Sequence, residues 1–276
     1  MPDAFWQTPE FLEFLTKGKV EKTRYNLNVD DLSPAIPRKE STDILFKLFK
    51  LYPGLKVDAF VIPDWRGEAC VKDYPGWIQE VKTLVDMFDL RLHHHGLNHD
   101  FNQGFRTEFS DKSITECEDI IIKAVEVWSK VGLDVGMEVF RSPRWVSSTN
   151  LLDACKNLGF KIIGLNWRQH PAEVWKRGMD VVYSNFYYAN TPTYPSGKAK
   201  DKDLHQLWSD FSNERICHAH FGHLGYDALR KRVDNTKVDI RDMILYGADY
   251  VYLEEATSFR EVVKNANPAV QAACQP

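Results

Sequence analysis

The chain has 276 residues, of which 43% are hydrophobic and 27% charged, with a formal net charge of -4. That is the make-up of a soluble globular protein large enough to bury a sizeable core, and the missing basic stripe argues against a nucleic-acid partner. No uncharged apolar run reaches membrane-spanning length, so no membrane partner is expected. The five cysteines are odd in number and scattered, without a Cys-x-x-Cys pair, which excludes a zinc ribbon or a disulfide framework; Cys117 and Cys155 read as small buried hydrophobes on helices. The first residues lack a charged stretch followed by an apolar one, which makes a reduced, cytoplasmic location the expectation.

In chain order, residues 1–22 read as a polar, aromatic-containing lead-in with a short helix around 9–17. Residues 24–29 alternate like a strand and run into Asp30-Asp31-Leu32-Ser33-Pro34. Apolar residues at helical spacing mark 42–51, stopped by Pro53-Gly54. A short apolar strand at 57–62 is followed by a helix at 75–88 with Pro75 in its first turn. The strand 90–95 then delivers Arg91-Leu-His-His-His-Gly-Leu-Asn-His-Asp100, which holds four of the nine histidines. Ser113-Ile-Thr-Glu116 is a capping box opening a long helix through Trp128, closed by Gly132. Strand 135–140 delivers Arg141-Ser-Pro-Arg-Trp145, helix 150–158 ends at Gly159, and strand 160–165 precedes Asn166-Trp167-Arg168. A strand at 181–186, a long loop at 189–203, a strand at 215–220, a helix near 238–246 and a strand-like 250–253 complete the pattern. The whole divides into a lead-in (1–22), one αβ unit (23–257) and a polar tail (258–276).

Strands alternating with helices are the signature of a parallel sheet with crossover helices. Residues able to do chemistry gather where strands end: Asp30/Asp31, His95/His99, Arg141/Trp145 and His218. In a βα barrel those ends converge on one face. His95 and His99 are four apart, a spacing that in a helical turn puts both imidazoles on one side, and Gly96 between them permits a sharp turn. A cluster of solvated histidines would show the same residues. Two imidazoles also need a third ligand, and one of the Asp30/Asp31 pair is available. Two histidines, one carboxylate and an open position fit a catalytic divalent cation, typically Zn2+. The other carboxylate would then stand as general base, and an arginine beside it would keep it ionised.

The ordered set Asp30-Asp31, His95-x-x-x-His99, Arg141-x-Pro143 and a late strand ending in His218 resembles the polysaccharide deacetylase (NodB-homology) superfamily, over roughly residues 23–255. Val29-Asp-Asp-Leu-Ser-Pro34, His95-Gly-Leu-Asn-His-Asp-Phe101 and Glu108-Phe109 look most like its divergent, intracellular-type branch. The resemblance implies a distorted (β/α)7-type barrel with the site at the C-terminal ends of the strands. Asp31, His95 and His99 would hold the metal, Asp30 would be the base, Arg141 its tether and His218 the general acid. The reaction implied is hydrolysis of an N- or O-acetyl group on a sugar, glycan or glycoconjugate. His218 would protonate the departing group, and acetate would leave.

The chain departs from the familiar pattern in ways that bear on substrate. Asn28-Val29-Asp30-Asp31-Leu32 replaces Thr-Phe-Asp-Asp-Gly, Gly96 stands where a Ser or Thr is usual, and Arg144-Trp145 follows Pro143. His220 competes with His218, because alternate residues of a strand share a face. Trp145, Trp167, Arg144 and His220 are the candidates for substrate contact, with Trp65 as a further platform. His93 is expected near the site and His94 against the helices. Asp100 and Glu108 are candidates to support the histidines, though surface roles are the default for both. Another metal-dependent C–N hydrolase and a non-catalytic carbohydrate-binding barrel are the competing readings. The sequence leaves the oligomeric state open.

Overall fold

The structure, a computed structural model, describes residues 24–51, 53–99, 106–145, 147–165, 172–183, 186–187, 214–220, 249–250, 252–255 and 261. The expected helices at 9–17 and 238–246, the loop at 189–203 and Trp167 lie outside these residues, as do both proposed unit boundaries.

The elements, in order, are β1 (Arg24–Leu32), α1 (Thr42–Leu51), β2 (Val57–Val61), β3 (Asp64–Trp65), β4 (Ala69–Cys70), α2 (Pro75–Phe88) and β5 (Arg91–His94). They continue with α3 (Ile114–Lys130), β6 (Gly136–Arg141), α4 (Thr149–Asn157), β7 (Ile162–Leu165), α5 (Ala172–Trp175), β8 (Asp180–Tyr183), β9 (Phe186–Tyr187), β10 (Glu214–His220) and β11 (Asp249–Tyr250). The main sheet runs β8-β7-β6-β5-β2-β1-β10-β9, with β11 added to β1, and its pairings are parallel. The parallel sheet with crossover helices is the one expected from the alternation, and its curl makes it the distorted (β/α) barrel class that the resemblance implies.

Local sequence explains the main helices. In α2, Pro75 occupies the first position, where a missing N–H costs nothing, and Trp77, Val81 and Leu84 form the buried stripe; Asp89 ends it in the left-handed region at φ 56°. In α3, the Ser113 hydroxyl accepts from the Glu116 backbone N–H while the Glu116 carboxylate takes the Ser113 N–H, so both expected halves of the capping box are present. Its Cys117, Ile121, Ala124 and Trp128 are buried at helical spacing. All five residues of β2 are buried, as a strand covered on both faces requires.

β1 sorts its side chains by face. Leu27, Val29 and Leu32 pack with Ile44, Leu45 and Leu48 of α1 and Val81 and Leu84 of α2. Asn26, Asn28 and Asp30 are fully buried on the other side, so the inner face of the sheet is polar. The apolar positions step by two and then by three because β1 gains a residue: Val29 pairs with Ala59 but Leu32 with Val61. That is a β-bulge, and Asp30 and Asp31 occupy it.

Three expectations need adjustment. The strand predicted at 181–186 is two, β8 and β9. The strand-like 250–253 is β11 followed by a single 3-10 turn at Leu253–Glu255. The β3–β4 hairpin was not foreseen; its turn is Arg66, Gly67 and Glu68, the first two at positive φ. No helix of the described residues is long and apolar enough to cross a membrane.

Candidate metal centre

The bulge decides where the two adjacent carboxylates go. On a regular strand Asp30 and Asp31 would face opposite sides. Here Asp31 adopts φ 71°, a region that Asp tolerates better than most residues, and both carboxylates approach the same imidazole. His95 Nε2 lies 3.6 Å from Asp30 Oδ2 and 3.7 Å from Asp31 Oδ1. His99 Nδ1 lies 3.6 Å from the same Asp31 oxygen. These separations exceed hydrogen-bond length. A cation about 2.1 Å from each of several tetrahedral ligands would hold the ligand atoms roughly 3.4 Å apart, so Asp31, His95 and His99 fit the demand of one small divalent ion. Burial and the charge of Asp30 push the Asp31 carboxyl up to about 8, which is the electrostatic signature of a place that wants positive charge.

The imidazoles are set by different devices. His95 Nδ1 is 2.8 Å from the Arg141 carbonyl oxygen, which can only accept, so this nitrogen carries the proton and Nε2 turns its lone pair toward the aspartates. His99, at φ 48°, follows a loop rather than the helical turn expected from the His-x-x-x-His spacing. The loop is held from two sides. On one, the hairpin donates Asp64 N–H to Leu97 O (3.1 Å) and Arg66 N–H to Asn98 O (2.7 Å), and the Trp65 ring lies 5.8 Å from the His99 ring. On the other, the Glu108 carboxylate accepts the backbone N–H groups of Leu97 and Asn98, each at 2.9 Å, and of His99. Burial raises the Glu108 carboxyl to about 7 against these hydrogen bonds. The surface role expected for Glu108 is therefore wrong: a carboxylate with several backbone donors to satisfy has reason to be inside.

Arg141, at the end of β6, is fully buried. Its Nη1 donates to Asp30 Oδ1 at 2.5 Å and to Asn28 Oδ1 at 2.8 Å, and the guanidinium lies 3.9 Å over the Phe60 ring. Gly164 on β7 makes room for it, since a Cβ there would sit 2.8 Å from Arg141 Nε. Asn28 continues the network, donating to Asn26 Oδ1 at 3.0 Å, and Asn26 donates in turn to Asp58.

That chain ends in a second cluster of metal-ligand residue types, Asp58, His93 and Glu254. Its chemistry differs. Asp58 Oδ1 is 2.6 Å from His93 Nε2, and Asp58 Oδ2 accepts from Asn26 and from the Leu253 N–H at 3.0 Å. Glu254 is paired with Arg91 at 3.0 Å. These carboxylates already have donors and a guanidinium, so the cluster reads as a clamp between β2, β5 and the 252–255 segment. His93 belongs here rather than at the metal centre.

The remaining predicted residues fall as follows. His94 faces the helices as expected, lining a depression with Val125 and Trp128, and burial with the neighbouring His93 lowers it to about 4. Arg144 follows β6 at φ 55°, and Trp145 ends the same turn. For His218 and His220 the backbone register is described: they pair with Asn28 and Asp30 of β1. Sequence reasoning missed Asn28, whose alternation with Asp30 was the available signal, and the hairpin under His99, for which Arg66-Gly67 was the only cue.

No protein-family model matches the chain, and no curated protein matches it. Solved structures do. A family 4 carbohydrate esterase from Streptomyces lividans, in complex with acetate, is 12% identical over 74% of this chain and 81% of its own, with a TM-score of 0.43. A Bordetella bronchiseptica protein assigned as a polysaccharide deacetylase in O-antigen biosynthesis is 13% identical over 80% of each chain, at 0.44. The 4-alpha-glucanotransferase from Thermococcus litoralis is 10% identical over 90% of this chain but 41% of its own, at 0.50. At such identities the likeness is one of fold: the chain shares a βα architecture with the glucanotransferase, of which it spans less than half.

Proposed function

We propose that this protein is a divalent-cation-dependent hydrolase that removes an acetyl group from a sugar, glycan or glycoconjugate. The observation that carries the reading is the convergence of Asp31, His95 and His99 at 3.6–3.7 Å, beside an Asp30 held by a buried arginine. Asp31, His95 and His99 would hold the cation, with Zn2+ the expected ion. When bound, it supplies Lewis-acid polarisation of the acetyl carbonyl and makes a nearby water more acidic.

The chain's own residues supply the rest. Arg141 fixes Asp30 through Oδ1, which leaves Oδ2, on the His95 side, to accept the proton from the attacking water. His218 is the proposed acid: its proton goes to the sugar nitrogen or oxygen as the bond to the acyl carbon breaks, and acetate departs. His220, in register with Asp30, is the alternative position for that role. Arg144, Trp145, Trp167 and His220 are proposed to contact the sugar, with Trp65 forming part of the floor beside His99. The sequence resemblance supports this assignment of roles, and the fold supports a site at the C-terminal ends of the strands.

The test is acetate release from a panel of acetylated sugars and nucleotide sugars, with and without chelator. Chelator-sensitive release by the wild type is expected, with Asp30→Asn retaining cation and losing release. Release unaffected by chelator, or an Asp30→Asn variant of wild-type activity, overturns the reading. Separate His218→Ala and His220→Ala variants identify the acid by which one loses turnover while keeping cation.

A further inference from the structure

The loop from His95 to His99 contains no helix or strand, so it needs another source of rigidity. Three successive backbone N–H groups, those of Leu97, Asn98 and His99, converge on the two oxygens of the Glu108 carboxylate. Glu108 sits eleven residues along the chain from Leu97, just before the fully buried Phe109, which packs against Phe140 of β6. The carboxylate is thus anchored to the sheet by its neighbour. Gly96 fits the same arrangement: its φ is 98°, and a Cβ there would lie 2.2 Å from Glu108 Oε1 and 3.0 Å from the Pro143 ring. The glycine is required by the carboxylate as well as by the turn.

We propose that Glu108 is a positioning residue, a carboxylate clamp that preforms the His95–His99 loop so that both imidazoles meet Asp31 before any cation arrives. The cation part of this inference rests on the function proposed above; the clamp itself does not. Glutamine is nearly isosteric with glutamate but replaces one acceptor oxygen by an NH2 donor, which would face a backbone N–H. Glu108→Gln therefore breaks the clamp with little change in volume. Gly96→Ala breaks it from the other side by displacing the carboxylate.

The experiment has two readouts on the full-length protein. The first is amide hydrogen exchange of the metal-free protein in the peptide covering 92–99. Faster exchange is expected in Glu108→Gln and Gly96→Ala, with the β1 and β2 peptides unchanged; wild-type protection in both variants overturns the clamp. The second is titration with Co2+, following its d–d bands, and competition with Zn2+. Both variants are expected to bind about 10–100-fold more weakly than wild type, the usual cost of losing a group that orients a metal ligand. Wild-type affinity and an unaltered Co2+ spectrum overturn the positioning role. If wild type itself takes up no stoichiometric metal, the functional reading falls, and the exchange result still decides the clamp.

Discussion

Two clusters draw on the same residue types, one with a histidine of β5 and the other with histidines of the loop after it, yet they have opposite characters. At Asp58, His93 and Glu254, carboxylate and imidazole are within hydrogen-bond distance of each other, and the carboxylates take further donors from Asn26, Leu253 and Arg91. At Asp31, His95 and His99, the aspartate oxygen stands 3.6–3.7 Å from each imidazole nitrogen, farther than a hydrogen bond and near the spacing set by a shared ion. In the first cluster the carboxylates are met by protein donors; the second gathers carboxylates and imidazoles around a point. What separates a structural His–Asp cluster from a candidate metal site is thus how the demand for positive charge is met, and residue identity alone does not reveal it.

The comparison can be broken most forcefully by chemistry. Asp30→Asn is expected to lower the turnover of acetate release by about 10²–10⁴-fold with cation content unchanged, while Asp58→Asn leaves the cation content of the folded protein intact. Comparable losses of turnover from both substitutions, in folded protein, would erase the distinction. Next comes stability. Asp58→Ala leaves buried donors of Asn26, His93 and Leu253 without their acceptor, and a loss of about 3–5 kcal/mol is expected in denaturant unfolding of the metal-free protein. His95→Ala should cost less in the same measurement but abolish stoichiometric metal.

The pH dependence sharpens the contrast further. Asp31 and Glu108 have carboxyls raised to about 8 and about 7, so their contribution to stability is complete below the ordinary carboxylate range and is lost as pH rises through 7 to 8. His94, lowered to about 4, contributes stability that is present above its ordinary value and lost as pH falls toward 4. Two raised carboxyls outweigh one lowered imidazole, so these groups together make the metal-free melting temperature fall as pH rises toward 8. Excess Zn2+ should raise the alkaline limb, because binding favours the ionised Asp31. An alkaline limb indifferent to the ion would argue against Asp31 as a ligand. The smallest effect belongs to the periphery: Tyr252→Phe removes the hydroxyl donated to Asp89 O at 2.6 Å and should cost about 1 kcal/mol without touching activity.

Much of this was readable from the chain. The helices at 42–51 and 75–88 carry clear apolar stripes with proline or glycine at their limits, and Ser113-x-x-Glu116 announces α3 by a hydrogen-bonding pattern that needs no tertiary help. That one of Asp30 and Asp31 would meet His95 and His99 was accessible because strand ends in such folds share one face, while the choice of Asp31 rested on the family resemblance. Glu108 was a candidate to support the histidines, but a surface role was the default for it, because its partners are backbone N–H groups, which leave no side-chain pattern to read. His93 and His95 look alike in sequence; only the location of Asp58, in register with Asn28 across the β1–β2 pair, assigns one to each cluster. The His95–His99 spacing suggested a helical turn because four residues match its period, but the left-handed Gly96 and His99 take the chain out of that turn.

The bulge in β1 has a consequence for how this site can vary. Because one surplus residue turns both Asp30 and Asp31 toward His95, the proposed base and the proposed ligand share a single backbone irregularity. Deleting either residue there would restore strict alternation and leave a single inward carboxylate between Val29 and Leu32, so that base and ligand could not both be present. Position 31 is also closed to β-branched side chains by its φ of 71°. Proton acceptor and cation ligand are mechanically one part, so insertions and deletions in this strand should be tolerated before Asn26 or after Leu32, and never between.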